Sequence, residues 1–223
     1  MAWSNNGDPK GITNKEQILS KVRNAIIEKP EALFEDIDHI SDTGVPISEE
    51  YGPFVTFAQH FKESGGIFIY LESESEFAEC LKQLVPENGW EPLWCTSPDI
   101  QKILDRRGIP YTEDPTRPAN HKLASITGCE CLVAKTGSVI VSDALTRSRK
   151  AYATPDIHLV LATSEQIVDS MKEAFLKIRG KYADENPSQI VIITGPSCTS
   201  DIEQIEVTGV SGARQIAVLL LDE

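Results

Sequence analysis

The residues best suited to chemistry lie in the run Val191-Ile192-Ile193-Thr194-Gly195-Pro196-Ser197-Cys198-Thr199-Ser200-Asp201-Ile202-Glu203. β-Branched residues lead into a Gly-Pro turn, and hydroxyls and carboxylates follow. The pattern predicts a buried strand that delivers a helix N-terminus to a sheet edge. Open α/β sheets bind ligands at such edges, outside the carboxyl ends of their strands. The first N–H groups of a helix lack intrahelical acceptors and carry partial positive charge. With Gly195 and Pro196 shaping the turn and the hydroxyls of Ser197, Thr199 and Ser200 beside it, such an end would cradle a carboxylate or phosphate. The competing reading is a capping box, Ser200-x-x-Glu203, whose side chains satisfy those N–H groups themselves. Asp201 and Glu203, with Glu206, could serve as acid/base groups or as oxygen ligands to Mg²⁺. Carboxylates at a helix start are also favoured by the dipole alone.

Two smaller constellations stand beside this one. In Lys135-Thr136-Gly137-Ser138 a glycine allows close backbone approach to a ligand and two hydroxyls flank it, although a plain turn between strands explains the same residues. Arg147, Arg149 and Lys150 form a basic cluster in an acidic chain, and arginine grips carboxylates or phosphates bidentately. A solvated loop is the alternative. If Arg147 and the Gly195 turn share one sheet edge, they make a single anion site.

Other chemistries lack support. The sequence has no G-x-S-x-G elbow, no G-x-x-x-x-G-K-[ST] loop and no G-x-G-x-x-G fingerprint. Cysteines 80, 95, 129, 131 and 198 make neither a disulfide framework nor a CxxC pair, and their scatter does not suit an iron–sulfur cluster. Cys129 and Cys131 are expected on one face of a strand, as half-buried thiols. His39, His60, His121 and His158 have no partner histidine at helical spacing, so no metal site is expected.

The elements that must position these residues alternate along the chain. Helices are predicted over 14–29, 53–63, 75–84, 97–106 (with Ser97 as N-cap) and 164–178 (with Ser164 as N-cap). Strands are predicted over 67–71, 92–95, 131–134, 139–141, 157–162, 190–193 and 216–221. Residues 107–125 and 143–155 read as irregular. Alternation of this kind implies an α/β fold with a mainly parallel, Rossmann-like sheet and helices on both faces. The bend at Thr136 adds an antiparallel element. Residues 1–64 hold no strand pattern and form an expected helical extension, followed by an α/β domain over 65–223.

A chain of 223 residues can bury one substantial core, and 40% hydrophobic content is ordinary for a globular protein. A net charge of −13 opposes binding to nucleic acid or anionic membranes. No apolar run is long enough to cross a bilayer, and residues 1–10 are polar, so a cytoplasmic protein is expected.

Gly195-Pro196-Ser197-x-Thr199-x-Asp201-Ile202-Glu203, followed by Gly209-Val210-x-Gly212 and an apolar terminal strand, resembles the LUD-domain family. Thr127-Gly128, Thr136-Gly137-Ser138 with Val139-Ile140-Val141, and Pro155-Asp156-Ile157-His158-Leu159-Val160 continue the likeness in the same order. The chain departs from the family pattern at Lys135, where an acidic residue is usual, and at Ser211 and Ala213, where His and Pro are common. The resemblance implies a fold like the NagB/RpiA/CoA-transferase group. It also implies a part in bacterial L-lactate utilization, in which lactate becomes pyruvate and electrons pass to clusters held by iron–sulfur partner proteins rather than by this chain. A small carboxylate or a partner would bind near Gly195–Glu203 and Thr136–Ser138; the chain's own catalytic role stays open. The alternative is a free-standing enzyme of the wider fold group, acting on a CoA ester, sugar phosphate or folate through the Arg147 cluster and Glu203.

Overall fold

The computed structural model describes residues 52–90, 92–114, 122–183, 186–200 and 206–222. The expected helix over 14–29, and the candidate residues Asp201 and Glu203, lie outside the described residues.

The centre is a six-stranded, all-parallel sheet. It contains β1 (Ile67–Leu71), β2 (Leu93–Cys95), β3 (Tyr111–Thr112), β4 (Ala124–Gly128), β7 (Ile157–Thr163) and β12 (Gln215–Leu221), in the order β1-β12-β7-β4-β2-β3. β12 and β7 are neighbouring interior strands and are nearly continuous apolar runs, as strands covered on both faces must be. Alternation along β12 divides its side chains between two cores. Ala217, Leu219 and Leu221 face one, and Ile216, Val218 and Leu220 face the other.

The first core is closed by α2 (Glu74–Glu87) and α3 (Pro98–Arg107), through Phe77, Leu81, Ile100 and Leu104. The Ser73 hydroxyl caps α2 by accepting from the Glu76 amide. Gly108, in the left-handed conformation, stops α3. The second core is closed by α1 (Gly52–Glu63) and by a second sheet of four strands, so helices alone do not make that layer. This sheet holds β5 (Cys131–Val133), β6 (Ser138–Ser142), β8 (Ile167–Val168) and β9 (Ile190–Ile193), in the order β8-β5-β6-β9. β5 and β6 form the antiparallel hairpin expected around Thr136, turned by a 3₁₀ segment at Ala134–Thr136. Phe57 and Phe61, one helical turn apart on α1, stack at 5.4 Å and lie fully buried between the sheets.

Three expectations are corrected. The helix expected from Ser164 starts at Met171: α4 (Met171–Lys181) is capped by Ser170, and Ile167–Val168 instead pairs with β5. β-Branched residues that complete a sheet outcompete a helical start there. The irregular stretch before residue 125 ends in the strand β4. Cys129 and Cys131 part company, because Cys129 precedes β5 and joins the core between the sheets, whereas Cys131 packs toward α4. Burial pushes both thiols up in pKa, Cys129 furthest.

α4 is locked to the second sheet by the buried Glu130. Its Oε1 accepts from Tyr182 (2.8 Å) and from Ser142, and Lys181 Nζ meets its Oε2 at 2.8 Å.

Candidate functional site

The Gly195 segment does not start a helix. After β9 the chain turns at Gly195–Pro196 and runs into β10 (Cys198–Ser200), which pairs antiparallel with β11 (Glu206–Thr208). Residues 198–200 enter a hairpin ladder, so the helix-end cradle expected from Ser197 to Ser200 does not form; the capping box expected with Glu203 lies outside the described residues. Ser197 fastens the two halves of the C-terminal motif. Its amide donates to the Ala213 carbonyl (2.9 Å), its carbonyl accepts from the Gly209 amide (3.0 Å), and its Oγ accepts from the Ser211 amide (3.3 Å). A Cβ on Gly212 would stand 3.2 Å from that of Ser197, so a side chain there would crowd the clasp.

Gly137 and Gly195 are both required by packing against α1, and Gly195 also lines a neighbouring cleft. Both have positive φ, at 59° and 82°. A Cβ on Gly137 would lie 2.4 Å from the Phe61 backbone nitrogen, and one on Gly195 would lie 2.1 Å from the Ser64 carbonyl oxygen. The two turns therefore form the seat of the carboxyl end of α1, where His60 Nδ1 also donates to the Ala134 carbonyl (2.9 Å). A hydroxyl chain joins them, from Thr136 to Ser138 (2.7 Å) and from Ser138 to Thr194 (2.7 Å). The structure thus brings Thr136, Gly137 and Ser138 together with Gly195, as one assembly.

Beside this seat a cleft of about 500 Å³ opens. Thr194–Thr199 and Ser211–Ala213 wall one side, and Tyr152, Gln189 and β9 wall another. His158 and Ile216, near the amino ends of β7 and β12, also line it. The cleft therefore lies at the amino edge of the parallel sheet, opposite the edge expected. Tyr152 donates to Gln189 Oε1 (3.0 Å), which leaves the glutamine amide nitrogen as a donor at the wall. No lysine or arginine is among the described lining residues.

Arg147 does not join this cleft. Its amide donates to the carbonyl of Thr96, just past the carboxyl end of β2, and its guanidinium meets Glu113 (3.3 Å), just past β3. Arg149 pairs with Asp143 (2.8 Å) and donates to Ser188. Arg147 and Gly195 thus stand at opposite ends of the strands, and the single anion site is not built. Thr199 lies exposed on β10, and only the backbone of Ser200 is described.

Sequence reasoning missed His158. It is fully buried, and its Nε2 lies 2.7 Å from Thr127 Oγ1 on the neighbouring strand. Nδ1 has no partner. Burial lowers its pKa to about 3, so the ring is neutral at physiological pH. Its partner is not a second histidine but a threonine on the adjacent parallel strand, which helical spacing in the sequence does not reveal. Among the described residues, no group of three or more His, Cys, Asp or Glu side chains could hold a metal ion. No helix among them is long and apolar enough to cross a membrane.

Residues 113–221 match the sequence profile of the LUD domain. The chain is 30% identical to the Escherichia coli protein YkgG over 167 residues, covering 69% of this chain and 72% of that protein. Lactate utilization protein C of Anoxybacillus flavithermus is 26% identical over 167 residues, 69% of this chain and 74% of the relative. Lactate utilization protein C of Deinococcus radiodurans is 30% identical over 99 residues, and that match spans about half (46%) of the relative's own length. In architecture the chain is similar to a crystal structure of a DUF162 family protein from Deinococcus radiodurans. The TM-score is 0.56 at 17% identity, over 79% of this chain and 99% of that one.

Proposed function

The chain belongs to the LUD-domain family, and from that premise we propose that it is a subunit of a bacterial L-lactate utilization system, working with iron–sulfur partner proteins. Lactate is oxidised to pyruvate in that system, and the two electrons pass to clusters on the partners. This chain contributes the cleft beside Gly195, which takes a small carboxylate or a partner segment.

One observation carries the reading. The motif that marks the family is folded into the wall of a cleft, with Ser197 clasping its two halves together. Apolar side chains of β9 and Ile216 suit a methyl group. The amide of Gln189 and the hydroxyls of Thr194, Ser197 and Ser211 supply neutral donors for a carboxylate. Ion pairs with Glu113 and Asp143 already engage Arg147 and Arg149, the two arginines of the basic cluster on which the CoA-ester or sugar-phosphate alternative relied.

Deleting the gene in a strain with no other lactate oxidase tests the proposal. Loss of growth on L-lactate, restored by the intact chain, is expected. Unchanged growth contradicts it.

A further inference from the structure

We infer that His158 is a ligand-binding residue of the cleft, and that its Nδ1 hydrogen-bonds the 2-position oxygen of a small 2-hydroxy or 2-oxo acid. The inference rests on the cleft taking a small carboxylate and adds which atom reads it.

His158 lines the cleft, yet its side chain is fully buried. Its Nε2 turns to Thr127, which does not line the cleft, so Nδ1 is the one polar ring atom left for an occupant. Buried polar atoms in folded proteins nearly always have a partner, so this unpartnered nitrogen beside the cleft calls for one, and a ligand reaching it would supply it. The ring is neutral, so one nitrogen donates and the other accepts. The threonine hydroxyl can do either.

That gives the pair two states of equal charge. With Thr127 donating to Nε2, Nδ1–H donates to a keto oxygen. With Nε2–H donating to Thr127, bare Nδ1 accepts from a ligand hydroxyl. The His158–Thr127 pair thereby suits both the alcohol and the ketone of one redox couple without a charged group. The absence of Lys and Arg from the described lining fits a ligand read through neutral hydrogen bonds. Thr127 is a positioning residue, acting through the imidazole.

The test uses the full chain labelled with nitrogen-15 at histidine and titrated with L-lactate or pyruvate. The His158 ring signals are assigned by their loss in His158→Asn. L-lactate is expected to move Nδ1 toward the unprotonated position, and pyruvate toward the protonated one. His158→Phe is expected to weaken binding by roughly tenfold or more. His158→Asn, whose amide reaches the same region, should retain part of the affinity and guards against a variant that fails to fold. Thr127→Val leaves Nε2 buried without its partner, so it should lower the melting temperature by a few degrees while collapsing the two responses to one tautomer. If the chain binds either acid with Nδ1 unmoved, or if His158→Phe binds as well as the parent, the inference fails and the lactate role stands. If neither acid binds, the inference fails, and growth on lactate separately decides the role.

Discussion

Ser138 Oγ lies 2.7 Å from Thr194 Oγ1 and ties the β5–β6 turn to the turn that follows β9. The bond joins segments far apart in sequence into one seat for α1, and that seat borders the cleft. The glycines in both turns are demanded by helix packing, and the Gly195 turn also lines the cleft.

Replacing either glycine should therefore cost stability through two effects. Gly195→Ala and Gly137→Ala each impose a left-handed conformation on alanine and drive its Cβ into the end of α1. Gly108→Ala, also at positive φ but with open space around it, carries only the first effect, about 1–2 kcal/mol. Thermal melts should show Gly108→Ala lowered by roughly 2–4 °C per kcal/mol and the other two lowered further. Equal shifts for all three would remove the packing role.

His158 gives stability a pH dependence of known sign. Its folded pKa is depressed to about 3 from an ordinary 6.5. Its stabilisation is complete above the unfolded value and declines as pH falls below 6.5, because the unfolded chain then takes up a proton that the folded chain refuses. Between pH 7 and pH 5 this amounts to about 2 kcal/mol. Urea midpoints across that range should fall less steeply for His158→Asn than for the parent.

Lys181→Met leaves the carboxylate of Glu130 buried with only two hydroxyl donors. A loss of about 1.5–3 kcal/mol is expected, the worth of a hydrogen bond to a charged group. Adding Glu130→Gln should recover part of it, and a double-mutant cycle in urea measures the coupling.

Arg147→Ala should change stability by less than about 1 kcal/mol, because its pair with Glu113 is solvent-exposed. It should also leave binding of L-lactate to the cleft unchanged by calorimetry, since the two lie at opposite ends of the sheet.

Much of the frame was legible in the sequence. The apolar runs of β1, β7 and β12, the Gly-Gly stop after α1 and the hairpin at Thr136 all follow from local pattern. Which sheet each strand joins was not legible. β9 looks like a further strand of the parallel sheet, but long-range pairing with β6 puts it in the second one. The Gly195 run misled for a related reason: its hydroxyls and carboxylates fit a helix cap locally, and only pairing with Glu206–Thr208 makes it a hairpin. His158 gave no signal, because its partner Thr127 lies far away in the chain and is brought near by strand register alone.

If the cleft serves lactate metabolism, filling it must abolish growth on L-lactate. Ser211 lines it from an exposed position and contributes only its amide to the Ser197 clasp, so Ser211→Trp should fill the cleft and leave the fold intact. The direct measurement is growth on L-lactate of a deletion strain complemented with either chain at matched levels. The parent should restore growth and Ser211→Trp should not. Equal growth from both would contradict the claim.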